Sequence, residues 1–188
     1  MRKIIYWVHV SVDGYINGPK GEFDWPELGP ELEAYSWALN DRADTLLYGR
    51  EVWTLMSSYW PTADEISDDA HAKRYAPVWR EMPKAVLSRT LESAEWGARV
   101  IGRNNLADEI TALKQQPGKD ILLTGGAGAA GALTEFGLID EYHIAVHPVV
   151  LGGGTPAFAP GTDRCTFRLV DAQTCDARTV VHHYELTS

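Results

Sequence analysis

The sequence predicts a mixed α/β fold, a layered sheet with an antiparallel edge. Three observations carry that prediction. Short runs of β-branched and aromatic residues alternate with stretches of helical periodicity along most of the chain. The links between them are short and marked by Gly and Pro. The last two strand-like runs, 166–170 and Thr179–Leu186, have no helix between them, so they pair antiparallel.

The elements follow in order. Residues 3–10, KIIYWVHV, read as the first strand. Asp13-Gly14, Asn17-Gly18-Pro19 and Lys20-Gly21 then resist regular structure. Pro30 suits the first turn of a helix over 30–39, with Leu32, Tyr35 and Leu39 on one face. Residues 45–48 form a short apolar strand that Gly49 breaks, and a helix starts at Arg50 or Glu51. Helical signals resume over 69–81, where Pro77 is expected to break or kink the helix. Lys84–Leu87 and Arg99–Ile101 read as short strands. Asn105 is placed to cap a helix over 105–115, with Asp108 near the positive end of its dipole, and Pro117-Gly118 ends it. Asp120–Thr124 is an apolar strand followed at once by glycines and a helix over 129–136. Residues 141–146 form the next strand, and Pro148 opens a Gly-rich loop.

Composition bounds the function. The chain has 188 residues, 45% of them hydrophobic, which suits one sizeable core and one domain over 1–188. Its 17 Lys+Arg against 26 Asp+Glu give a charge of −9, which argues against a nucleic-acid or anionic-membrane surface because both partners are polyanions. A small basic pocket for a phosphorylated ligand remains compatible with that balance. Cys165 and Cys175 are too few for a disulfide scaffold or a Cys-rich metal site, and buried thiols are their default. The basic start runs through a short apolar stretch into Asp13-Gly14 rather than a small-residue cleavage site, so a strand is expected there and not a signal peptide. No apolar stretch approaches the roughly 18 residues of a membrane helix. A soluble, cytoplasmic protein is expected. Seven Trp and eight Tyr imply aromatic surfaces in a core, pocket or interface.

Metal and triad chemistry are not expected. His143 and His147 share a strand face but stand ~13 Å apart at ~3.3 Å per residue. His182 and His183, as strand neighbours, point to opposite faces. No Gly-x-Ser-x-Gly occurs.

The segment ILLTGGAGAAGAL holds Gly126-x-Gly128-x-x-Gly131 directly after a strand and at a helix start. Absent side chains there let backbone N–H groups approach a pyrophosphate. The ordinary dinucleotide fingerprint nevertheless fails twice. Its loop should open the domain, and a ribose-binding acid should end the next strand, whereas Asp140 and Glu141 begin it. Phosphate cradling in another α/β topology, or glycines that merely ease strand–helix packing, are the readings left open.

At this loop the chain resembles the dihydrofolate-reductase-like superfamily, and more closely the reductase-domain family at the C-terminus of bifunctional riboflavin-biosynthesis proteins and in stand-alone relatives. Five ordered segments carry the resemblance over nearly the whole chain. They are Ser11-Val12-Asp13-Gly14-Tyr15-Ile16, then Leu47-Tyr48-Gly49-Arg50 with Trp53, then Pro83 through Thr90, then Leu122-Leu123-Thr124-Gly125-Gly126-Ala127. The last joins Gly137-Leu138-Ile139-Asp140-Glu141 to Pro148 through Gly154. The resemblance implies a three-layer α/β/α fold with a mostly parallel central sheet, NADPH as hydride donor and a homodimer. It places Gly49 and Arg50 at a turn that meets the cofactor phosphates, Ser88-Arg89-Thr90 beside the adenosine 2′-phosphate, and Gly125-Gly126-Ala127-Gly128 against the pyrophosphate and nicotinamide. Two arginines at turns plus helix-start amides suit a phosphorylated adenosine. One position departs from the family: where it often carries Thr, this chain has Val52, and a phosphate hydrogen bond is lost.

On the substrate side the resemblance lays the segment containing Ser11, Asp13, Gly14 and Tyr15 across the nicotinamide. Asp13 could then orient substrate or relay the proton that hydride transfer to C=N or C=O requires. Asp-Gly is equally a plain turn pair. Trp25 could lie on a planar heterocycle or anchor a loop, and Tyr48 could line the same cleft. The function implied is an NADPH-dependent reductase of a small heterocyclic or sugar-linked substrate, as in reduction of a ribosylamino-uracil phosphate in riboflavin biosynthesis. Dihydrofolate or pterin reduction, and a non-catalytic NADPH-binding protein, are the alternatives.

Overall fold

The computed structural model describes residues 1–159 and 163–187, with Arg103 described by its backbone alone. Its strands are β1 (Ile4–Ser11), β2 (Tyr15–Asn17), β3 (Ala43–Gly49), β4 (Lys84–Leu87), β5 (Arg99–Ile101), β6 (Asp120–Thr124), β7 (Glu141–His147), β8 (Thr155–Pro156), β9 (Phe167–Cys175) and β10 (Thr179–Leu186). The helices are α1 (Pro30–Arg42), α2 (Arg50–Tyr59), α3 (Ala63–Ile66), α4 (Ala70–Glu81), α5 (Leu106–Gln115) and α6 (Ala127–Glu135). Eight strands form one sheet in the order β5-β4-β3-β6-β1-β7-β10-β9. The first six of these run parallel, and β10 and β9 are antiparallel to their neighbours. A separate antiparallel pair joins β2 to β8.

The continuous apolar run of β1 is explained by burial on both faces. Ile4, Tyr6, Val8 and Val10 pack with Leu106, Ile110 and Leu113 of α5 and Ala130 and Leu133 of α6. Ile5 and Trp7 pack on the other side with Leu32 and Trp37 of α1, Trp53 of α2 and Tyr75 and Trp79 of α4. The result is helix, sheet and helix in three layers. The sequence-implied aromatic surfaces fall largely in the second cluster, where Trp53 stacks on Trp79 at 6.0 Å.

Four local expectations change. α4 runs through Pro77 without a break. Asp69 caps its start by accepting from Ala72 N–H, and buried Tyr75, Ala76 and Trp79 anchor the turns around the proline. Packing outweighs the one lost backbone bond. Asn105 makes no side-chain cap; a turn of 3₁₀ helix, Arg103–Asn105, leads into α5 instead. α6 begins at Ala127 and ends at Glu135, and β9 extends to Cys175.

β9 lies at the sheet edge with residues 168–174 exposed, including Leu169 and Val170. Among the described residues, no helix is long and apolar enough to cross a membrane.

Candidate active site

Six parallel strands point their C-terminal ends at one edge of the sheet, where open α/β sheets bind ligands. A cavity of about 780 Å³ lies there. β3 ends at Gly49, the residue before α2, and β6 leads through Gly125 to Gly126, the residue before α6. Neither helix start carries a side-chain cap, so the first-turn N–H groups are left for another acceptor. Gly126 has φ +81°, which an L side chain rarely adopts. A Cβ there would stand 3.2 Å from Val52 Cγ2 and 4.0 Å from the Gly49 nitrogen. Glycine thus keeps open the gap between the two helix starts. Val52, the departure noted in the sequence, packs against this gap rather than offering it a hydroxyl.

The third turn, after β4, is shaped by Ser88, whose buried Oγ accepts from the N–H of Thr90 (3.2 Å) and of Leu91 (3.0 Å). That leaves Arg89 and Thr90 exposed. Arg50 and Arg89 both line the cavity, and among the described residues neither forms an ion pair. Gly49, Arg50, Ser88, Arg89, Thr90, Gly125, Gly126, Ala127 and Gly128, drawn from three distant segments, all border this one cavity. Glu51 and Glu135 also border it, so its positive character is local to the two arginines.

The substrate-side residues divide. Tyr48 is a cavity wall, but it is buried and its hydroxyl accepts from Trp79 Nε1 at 3.0 Å. Asp13, Ser11, Gly14, Tyr15 and Trp25 are not among the cavity's lining residues. Asp13 is exposed and accepts from the N–H of Leu151 (3.1 Å) and Gly152 (2.8 Å). A Ser11 hydrogen bond, joined by these backbone donors, holds its carboxyl below the ordinary range. It pins the first loop to the Gly-rich loop. Ser11 Oγ accepts from Tyr15 N–H at 2.9 Å, and Gly14 turns at φ +84°. Trp25 packs edge-on against His147 at 5.4 Å.

Other residues complete the cavity's lining. Trp7 and His9 of β1, Ser36 and Asn40 of α1, and Trp60 and Tyr75 border it. Asn40 Nδ2 donates to the Ser36 carbonyl at 2.9 Å, and its Oδ1 is buried without a partner. Trp60 and Tyr75 meet edge-on at 4.6 Å. His9 Nδ1 lies 2.9 Å from His147 Nε2. The only sequence signal for His9 was its place two residues after Trp7 on one face of β1. With both faces buried, no polar alternation marked it out.

At the opposite end of the strands, sheet register assembles a cluster that spacing along the chain concealed. His183 of β10 stands across from His143 of β7, with stacked rings at 4.2 Å. Glu141 Oε2 lies 3.2 Å from His143 Nε2 and 3.8 Å from His183 Nε2. These three could hold a metal ion by distance. The carboxylate is already engaged: Arg42 grips both oxygens (2.9 and 3.0 Å) and Lys3 Nζ lies at 2.7 Å from Oε1. The cluster reads as an ion-pair network that ties β1, α1 and β7.

The RibD C-terminal domain family matches residues 2–181. The uncharacterized protein YyaP of Bacillus subtilis (strain 168) is 35% identical over 185 residues, covering 97% of this chain and 95% of YyaP. A solved Shewanella sp. PV-4 protein named for riboflavin biosynthesis superposes with a TM-score of 0.74 at 22% identity, covering 100% of both chains. Dihydrofolate reductase from Enterococcus faecalis, solved with NADP(H), gives a TM-score of 0.65 at 12% identity, covering 99% of this chain and 97% of that one. The last two likenesses share the fold.

Proposed function

Because the chain belongs to the RibD C-terminal domain family, we propose that it is a reductase that binds NADPH in the cavity at the strand ends. The observation that carries the reading is the convergence on one cavity of two uncapped, glycine-opened helix starts with Arg50 and Arg89, neither of which forms an ion pair among the described residues. The helix starts offer N–H donors and positive dipole ends to a pyrophosphate. Arg89, on a turn fixed by Ser88, is assigned to the 2′-phosphate, and Arg50 to the phosphates at the α2 start. The residues fit the cofactor: the Gly126 gap is the cradle a Cβ would fill. When bound, NADPH supplies a hydride.

The chain's own residues shape the other half of the reaction. Trp7, Trp60 and Tyr75 give the substrate end flat apolar walls. A small heterocyclic or sugar-linked substrate with an electrophilic carbon suits this lining. A ribosylamino-uracil phosphate and a dihydropterin are the two to try first. Asp13, outside the lining residues, has lost its place as proton donor in this reading. That same fact, with Val52, favours the second reading, an NADPH-binding protein without turnover.

Fluorescence titration tests the first step: NADPH saturates the protein more tightly than NADH, and no saturable binding of either removes both readings. Arg89→Ala is expected to weaken NADPH by about 10- to 100-fold, the worth of one charge-assisted phosphate contact, and NADH hardly at all. Equal losses would take Arg89 off the 2′-phosphate. Consumption of NADPH across pterins, uracil derivatives and carbonyls then separates enzyme from binder. The homodimer implied by the family would cover the exposed edge of β9, and sedimentation as a monomer at micromolar concentration argues against it.

A further inference from the structure

The buried chain of hydrogen-bonding groups behind His9 fixes what His9 offers to the cavity. Thr179 is fully buried, and the side-chain partner of its hydroxyl is His147 Nδ1 at 3.4 Å. A buried hydroxyl proton needs an acceptor. The hydroxyl therefore donates to Nδ1, which leaves His147 protonated at Nε2. That N–H donates to His9 Nδ1 across 2.9 Å. His9, its Nδ1 now an acceptor, carries its own proton on Nε2, the ring nitrogen left for a ligand in the cavity it lines. Thr179, His147 and His9 form one donor chain directed at the substrate end.

We propose that His9 is a catalytic residue of the reductase described above: its Nε2–H donates to the carbonyl oxygen or imine nitrogen whose carbon receives the hydride, and His147 and Thr179 are the positioning residues that hold it in that tautomer. The inference rests on the reductase reading and adds a demand on the substrate, an acceptor atom attached to the reacting carbon. As the new C–H bond forms, the π pair of C=O or C=N moves onto the heteroatom, and the His9 hydrogen bond meets the charge developing there. A proton from solvent then completes the O–H or N–H bond. His9 keeps its own proton, so no imidazolate is formed. Burial, with His147 alongside, lowers the His9 pKa to about 3, so the ring stays neutral and acts as a neutral hydrogen-bond donor.

The test begins with ¹⁵N-histidine NMR on the full chain. His9 and His147 are expected to be neutral and protonated at Nε2. Thr179→Val should mix the tautomers, and Thr179→Ser should restore them. Single-turnover NADPH oxidation is then followed with dihydrofolate, a ribosylamino-uracil phosphate and a set of carbonyl compounds as acceptors. His9→Phe is expected to slow it about 100-fold, as loss of one preorganised donor does, with NADPH affinity within about 2-fold of the unaltered protein. Thr179→Val should slow it less and Thr179→Ser should recover it. A His9 protonated at Nδ1, or a His9→Phe protein as fast as the original, overturns this inference while the reductase reading stands. An unaltered protein that binds NADPH and consumes it with none of the acceptors overturns the reductase reading, and substrate activation with it.

Discussion

Replacing Glu141 with glutamine is expected to cost the fold about 3 kcal/mol, the low end for removing one partner of a buried ion pair. The Glu141 side chain is 4% exposed, whereas its cations Lys3 and Arg42 are 49% and 39% exposed. They can rehydrate when the carboxylate is gone, which keeps the loss near that lower end. For a chain of this length the melting midpoint should fall by roughly 10 °C. The pH dependence separates this cluster from the rest of the fold. Burial opposes ionisation of Glu141, but hydrogen bonds from His143, Arg42 and Lys3 outweigh it and hold the carboxyl far below the usual range. A carboxyl with a depressed folded pKa contributes stability that is present above its unfolded value, about 4.3, and lost as pH falls below it.

The histidines act at higher pH. Burial lowers the pKa values of His9, His147 and His183 in the folded protein. Between the folded and unfolded values the unfolded chain binds more protons, so stability falls as pH drops below about 6.5. Urea unfolding across pH should therefore show two descending stages. Glu141→Gln is expected to shrink the lower stage, which Asp13 and Asp64 share through their own depressed pKa values, and to leave the upper one. An unchanged acid limb below about pH 4.3 would deny Glu141 its place as the network's anchor.

Which features were legible follows from where the information sits. β1, β6 and the helix over 30–42 are local: β-branched runs, a proline at a helix start and one apolar face specify them. The convergence of Gly49-Arg50, Ser88-Arg89-Thr90 and Gly125–Gly128 on one cavity was open to the same kind of reading, since each is a contiguous turn. The rest of the cavity lining is not contiguous. It is assembled from β1, α1, α4 and the turn after α2, and no spacing within one element reports that His9 meets His147. Asp13 was conspicuous because Asp-Gly in a loop carries two compatible explanations, and the structure shows its carboxylate accepting from the backbone of the Gly-rich loop. His183 meeting His143 depends on the β10–β7 register, which the sequence leaves unspecified where both strands are mixed polar and apolar.

Gly126→Ala is expected to weaken binding of both nicotinamide dinucleotides, in a way that Arg89→Ala does not. Two costs arise. An alanine at φ +81° pays roughly 1–2 kcal/mol for a left-handed backbone. Its methyl group would also press on Val52 at 3.2 Å and stand at the Gly49 nitrogen, between the helix starts that would grip the pyrophosphate. Displacing a phosphate oxygen from one of those N–H donors forfeits a charge-assisted hydrogen bond worth about 1.5–3 kcal/mol. The hydrogen-bond loss amounts to about 10- to 100-fold in affinity, while the backbone cost falls on folding. The pyrophosphate is common to both nicotinamide dinucleotides, so NADPH and NADH should weaken alike. Val52→Ala in the Gly126→Ala background relieves only the contact with Val52, and a small recovery is expected from it. Fluorescence titration of both cofactors against both variants checks the pattern. A Gly126→Ala protein that keeps its unfolding midpoint within about 1 kcal/mol and still binds NADPH like the original would place the pyrophosphate elsewhere. Selective loss by Arg89→Ala with uniform loss by Gly126→Ala would instead position the two ends of the cofactor on two separate turns of the same sheet edge.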